Sequence, residues 1–233
     1  MKLLNIFTIF SIIIFIALPN LDLQVSSIFF DSELKNFPWR ETLPTFLIYK
    51  SVKVVSILSV GSFLFFAGLV IWRKFLPNFL PKLLKFFDKI KTPKPNFIAL
   101  VLISIILTPG ILVHWVMKPI FERPRPVNII EFGGTNNYEK PFHLANHSPD
   151  EEHNSFPSGH SSMAFIMVVF AFFARNKKEF KTIFTIAFLY GILCASCRVW
   201  QGGHFLSDVT ISMSLSLYTI FILARILKIK EPE

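Results

Sequence analysis

Six stretches of this chain are almost free of charge: residues 3–19 (LLNIFTIFSIIIFIALP), 54–72, 97–117, 160–174, 182–197 and 205–224. A helix of ~17–25 apolar residues crosses a hydrocarbon core of ~30 Å, so the pattern predicts an all-α, integral membrane bundle of six transmembrane helices. The bundle forms a single domain over residues 1–233. The 160–174 run is the shortest, and polar Ser158 and Gly159 can extend it outward. Lys2 before the first run also fits a cleavable signal. The run ends in "FIALPN", without a small-x-small pattern, so a retained first helix is expected.

The segments between the runs differ in character. Residues 20–50 hold Asp22, Asp31, Glu33, Trp39 and Arg40, and "FPWRETLPTFLIYK" predicts an interfacial periplasmic helix anchored by Trp39 and Tyr49. Residues 73–95 read either as a basic amphipathic stretch on anionic headgroups or as a plain basic linker. The loop from Lys118 to Pro157 is the longest polar segment, and loops beyond ~12–15 residues are usually functional or disordered. "VWQGGH" (199–204) is a tight turn between the last two helices.

Charge adds an orientation. With the N-terminus inside, the inner segments hold 15 of the 24 Lys and Arg but only Asp88, Glu179, Glu231 and Glu233 among the acids. That asymmetry places both termini in the cytoplasm. The net charge of +9 therefore reflects topology, and no Arg-rich face interleaved with aromatics points to nucleic acid. Cys194 and Cys197 form C-x-x-C without a surrounding βαβ pattern, so they read as small residues packing between helices.

Three segments meet at the outer surface: the end of the third helix, the start of the fourth, and the turn into the sixth. His204 and Asp208 are four apart and share a helix face. A carboxylate in a span needs a partner. One that holds an imidazole nitrogen leaves the other nitrogen free as base or nucleophile. The plain alternative is an Asp208–His or Asp208–Arg tether between helices. Arg198 lies six residues before His204, across Gly202 and Gly203, so both can reach one small anion. Lys118 and Arg125 add two cations. Such a group suits a tetrahedral dianion, although Lys118 alone could equally be a snorkelling interfacial residue. In "SFPSGHSSMAF" (155–165), Ser158 is a plausible N-cap and Gly159 admits close approach of a ligand. His160, in the first turn, faces the same helix N-terminal anion site and can pass protons.

These residues resemble the type 2 phosphatidic acid phosphatases. "KPIFERPRP" looks like K-x6-R-P through Lys118, Arg125 and Pro126; "PSGH" at 157–160 is a second motif entire; "CRVWQGGHFLSD" looks like S-R-x5-H-x3-D through Arg198, His204 and Asp208. One position departs from the pattern, Cys197 where the family has serine. The resemblance implies a phosphatase that uses no metal and no cofactor. His204, oriented by Asp208, would attack phosphorus to give a phosphohistidine. His160 would protonate the leaving alkoxide and then activate water. Lys118, Arg125, Arg198 and the Ser158–Gly159 turn would stabilise the equatorial oxygens.

The site's depth favours a phosphate carried by a membrane lipid. "RPRPVNIIEFGGTNNYEKPF" and "NLDLQ" look similar to lipid A phosphatases of Gram-negative inner membranes, leaning toward those that remove the 4′-phosphate. Lys140, Arg123 or Arg40 would then meet a second phosphate. Rival substrates are undecaprenyl diphosphate, phosphatidylglycerol phosphate and phosphatidic acid. A lipid-phosphate carrier would need the cations but not the two histidines and Asp208, and six spans argue against a soluble vanadate-dependent haloperoxidase. His143, His147 and His153 read as part of a solvated acidic loop, and His114 as a hydrogen bonder between helices.

Overall fold

The computed structural model describes residues 1–75, 92–144 and 154–232. Most of the basic stretch at 73–95, the acids at 150–152, and His147 and His153 lie outside them.

Apolar runs without charge become helices, and prolines and polar residues mark their ends. Helix α1 (Lys2–Ala17) stops before Pro19, and the chain turns by 88° into the short α2 (Leu21–Ser27). A single 3₁₀ turn, Pro38–Glu41, precedes α3 (Leu43–Phe75). Where the sequence predicts a separate interfacial helix, residues from Leu43 on already belong to α3. Pro44 sits in the first turn, where its missing N–H costs nothing. The Thr45 hydroxyl bonds the Thr42 carbonyl at 3.1 Å and secures that start.

Helix α4 begins as an α-helix (Pro95–Ile105), widens to a π-helix (Ile106–Met117) and closes with an α turn (Lys118–Phe121). Pro109 lies in the widened part; it lacks an N–H and its ring crowds the preceding turn, which disfavours regular α geometry there. Helix α5 runs from Gly159 to Ile166 and tightens to 3₁₀ over Met167–Phe173. Helices α6 (Lys177–Trp200) and α7 (Leu206–Ile226) follow. Among the described residues, helices α3, α4, α6 and α7 are long and apolar enough to cross a membrane, the bent α1–α2 pair makes up to five, and α5 is shorter. The chain is a multi-pass, all-helical membrane protein.

Helix α5 is the centre of the bundle, packed against α6 and α7, with Ser161 through Val169 all buried. Small polar residues let α7 approach its neighbours. Ser216 Oγ bonds the Ser162 carbonyl of α5 at 2.9 Å, and Ser214 meets Thr8 of α1 at 3.1 Å. In hydrocarbon such bonds join helices that have no hydrophobic force between them. Leu3, Ile6, Ile9, Phe10 and Ile13 of α1 are exposed, the surface a lipid-facing helix presents.

A second apolar cluster roofs one end of the bundle, where buried Phe37, Ile129, Phe132 and Phe205 pack with Phe30 and Tyr138. The Val127 N–H donates to the Gly202 carbonyl at 3.0 Å, stitching the loop after α4 to the turn between α6 and α7.

Candidate functional site

That stitch gathers the predicted residues. Ser158 is the N-cap of α5; its Oγ accepts from the Ser161 N–H at 3.3 Å and lies 2.9 Å from Ser161 Oγ. The Ser158 N–H donates to the Asp208 carbonyl at 3.3 Å, which fixes the start of α5 against α7. Gly159 is required by a close approach: a Cβ there would lie 2.8 Å from His114 Nε2. At Gly203 a Cβ would lie 2.2 Å from Arg198 Nη2, so a side chain there would push the guanidinium aside. The turn therefore lets the guanidinium lie flat against it, and Arg198 Nη1 donates to Gln201 Oε1 at 2.7 Å.

His204 is only 3% exposed. Its Nδ1 lies 2.8 Å from the Ser155 carbonyl and 3.5 Å from Asp208 Oδ2. A carbonyl only accepts, so Nδ1 carries the proton and Nε2 keeps its lone pair. The sequence predicts that Asp208 orients His204; in the structure the Ser155 carbonyl makes the shorter contact and Asp208 supplies charge just behind it. Asp208 Oδ2 also accepts from the Ser155 hydroxyl and from the Phe205 N–H, the latter at 2.8 Å. Burial, opposed by the hydrogen bond to Asp208, pushes His204 down to about 4.

His160 stacks on Tyr49, ring centres 4.3 Å apart and 20° between planes, and the Arg198 guanidinium lies 4.9 Å from the centre of the same ring. The charges of Arg198, His204, Lys118 and Arg125 all act on His160. Lys118 is 8% exposed at the end of α4. Arg125 Nε and Arg198 Nε are buried donors without a hydrogen-bond partner among the described residues. Buried donors are almost always satisfied, so two orphaned guanidinium N–H groups on cations beside two histidines mark a place for an anion. A cavity of about 320 Å³ opens there, lined by His114, Lys118, Arg125 and Asn154. His114 also lines a largely apolar groove of about 830 Å³ between α3, α4 and α5, which reaches His160.

The structure brings Lys118, Arg125, Ser158, Gly159, His160, Arg198, His204 and Asp208 together at one end of the bundle. Other expectations change. His114 lines both cavities, and among the described residues it makes no side-chain hydrogen bond to another helix. Arg123 is 2% exposed and bonds Asp22 and Asp208, both at 2.8 Å or less, so it is no contact for a second phosphate. Lys140 and Arg40 are exposed. His143 lies 3.9 Å from Glu139, and no three His, Cys, Asp or Glu residues cluster among the described residues. Cys194 and Cys197 are buried free thiols.

Three residues escape the sequence reading. Tyr49 reads there only as an interfacial anchor. Ser155 carries no signal, because its role rests on a backbone carbonyl. Asp22 did carry one: an isolated carboxylate beside an apolar run needs a partner, as Asp208 does.

Residues 97–231 match the PAP2 superfamily. The chain is 28% identical over 208 residues to a lipid A 4′-phosphatase from Francisella tularensis subsp. novicida (strain U112), covering 86% of this chain and 83% of that one. Its fold is similar to the crystal structure of a transmembrane PAP2-type phosphatidylglycerolphosphate phosphatase from Bacillus subtilis, with a TM-score of 0.50 and 22% identity over 99% of this chain and 98% of the other.

Proposed function

From the premise that the chain belongs to the PAP2 superfamily and is a phosphatase, we propose that it removes a phosphate monoester from a membrane lipid through a phosphohistidine on His204. One observation carries this reading: His204 Nδ1 is committed to the Ser155 carbonyl, which leaves the Nε2 lone pair available beside three cations. In the first step Nε2 attacks phosphorus and the P–O ester bond breaks. The leaving alkoxide takes a proton from His160. In the second step His160, now neutral, takes a proton from water, the hydroxide attacks phosphorus, and the P–N bond electrons return to Nε2. Lys118, Arg125, Arg198 and the Ser158–Gly159 turn hold the equatorial oxygens. Tyr49 stacks on His160 and holds the plane of its ring. No metal or cofactor enters either step.

The substrate is lipid A, with the 4′-phosphate favoured over the 1-phosphate. Support comes from the similarity to the Francisella 4′-phosphatase over most of both chains. The apolar groove beside His160 gives the lipid's hydrocarbon a place next to the phosphate. The site would face the periplasm from a bacterial inner membrane with both termini inside, a reading supported by the excess of Lys and Arg in the segments that then lie in the cytoplasm. The test is phosphate release in detergent with EDTA from lipid A, undecaprenyl diphosphate and phosphatidylglycerol phosphate. Release from lipid A that survives EDTA and vanishes in His204→Ala is expected. Release from another lipid alone would overturn the substrate, and release by His204→Ala at the wild-type rate would overturn the mechanism.

A further inference from the structure

Arg123 lies at the centre of the most heavily bonded buried group among the described residues, and the reaction above does not use it. Its Nη1 donates to Asp208 Oδ1 at 2.7 Å and to Ser207 Oγ at 2.8 Å, and its Nη2 donates to Asp22 Oδ2 at 2.8 Å. Its Nε donates to the Glu139 carbonyl at 3.0 Å, and its guanidinium lies 4.0 Å from the centre of the Phe205 ring. Its own carbonyl accepts the Ser155 N–H at 2.9 Å. Arg123 therefore touches both groups that hold His204: Asp208 through the side chain and Ser155 through the backbone.

Asp22 completes the arrangement from outside the family-matched residues, which begin at 97. It is fully buried on α2, and it accepts the Ser207 N–H at 2.9 Å as well as the Ser207 hydroxyl and Arg123. With Asp22 and Asp208 both ionised, one cation between two carboxylates leaves the group one negative charge in excess. Paired with Arg123 alone, Asp208 would have its charge cancelled. With Asp22 sharing the guanidinium, Asp208 keeps a field to set against the positive charge that His204 acquires as its Nε2 bonds phosphorus. A mere tether between α2 and α7 needs none of this, since apolar replacements of buried ion groups are often as stable.

We propose that Asp22 and Arg123 are positioning residues that set the charge and orientation of Asp208 and Ser155, and through them the reactivity of His204. The proposal rests on the reading of His204 as the nucleophile. The bent N-terminal helix pair is then part of the active site rather than an accessory to it.

The two residues should act on His204 with opposite signs. Asp22→Asn gives the guanidinium wholly to Asp208, weakens its field and lowers the pH at which His204 protonates. Arg123→Gln leaves Asp208 uncompensated and raises that pH. The other charged groups that face His204 stay in place: Arg198 from α6, Arg125 from the loop after α4, and His160 from α5.

The experiment uses the full chain in micelles, as wild type, Asp22→Asn, Arg123→Gln and Arg123→Lys. It measures kcat and KM on the lipid the wild type cleaves, together with the His204 ring titration by histidine-labelled NMR. The expected result is a kcat lower by about tenfold or more in Asp22→Asn and Arg123→Gln, with KM within about twofold. The His204 midpoint should move down in the first and up in the second, and Arg123→Lys should fall between wild type and Arg123→Gln. A folded Asp22→Asn with wild-type kcat and an unmoved His204 midpoint would overturn the proposal, as would shifts of the same sign. If Arg123→Gln fails to fold, Asp22→Asn and Arg123→Lys carry the test. Should the wild type cleave no lipid phosphate, the functional reading fails, while the NMR shifts still decide the coupling.

Discussion

A buried imidazole attacks phosphorus only if its free nitrogen carries a lone pair at working pH. Burial gives His204 that property by pushing it to about 4, against an ordinary value of about 6.5. The sign follows from proton binding. Between those values the unfolded chain holds a proton that the folded chain does not, so this group's contribution to stability is complete above about pH 6.5 and is lost as pH falls toward 4. The NMR midpoint of His204 in the wild type is therefore expected well below 6.5; a midpoint at 6.5 would show the ring to be solvated. A second expectation concerns Gly203. In Gly203→Val the new side chain displaces the Arg198 guanidinium, costing a charge-assisted hydrogen bond of ~1.5–3 kcal/mol. KM should rise about tenfold or more, and an unchanged KM would mean that Arg198 does not hold substrate. Spacing along the chain was enough to find His204, Asp208, Arg198 and the PSGH turn, because each pair sits within one helix turn or one tight turn. Ser155, Tyr49 and Asp22 act across more distant contacts, which no local period records.

At the scale of elements, small polar side chains set the fit of α5 between its neighbours. Ser216→Ala removes the bond from α7 to the Ser162 carbonyl and should cost ~1 kcal/mol. Ser216→Leu adds bulk at a fully buried position and should cost ~1–3 kcal/mol. Thermal unfolding in micelles should rank wild type above Ser216→Ala above Ser216→Leu; equal midpoints would show a slack interface. Apolar runs located α3, α4, α6 and α7 well, since lipid selects continuous hydrophobicity. Residues 37–50, where Trp, Arg and Pro look interfacial, form a 3₁₀ turn at Pro38–Glu41 and the first turns of α3. The apolar runs gave no sign of the π-helix, because Pro109 can be answered by a kink, a break or a widening, and packing chooses among them.

Across the whole molecule, the proposed orientation sets the basic segments of the sequence in the cytoplasm and the site at the opposite membrane face. A cysteine placed at Lys2 should react with a membrane-impermeant thiol reagent only after the inner membrane is opened, and one placed at Lys140 once the outer membrane alone is breached. Both native thiols are buried and should stay silent. Labelling of both positions under the same condition would contradict the orientation. The central claim is that His204 becomes covalently phosphorylated, and the most direct measurement is rapid acid-free quenching of a single turnover on ³²P-labelled lipid. Acid-labile, base-stable label on the wild-type chain, absent from His204→Ala, is the expected result. Full phosphate release with no protein-bound label at any quench time, or label that persists in His204→Ala, would contradict it.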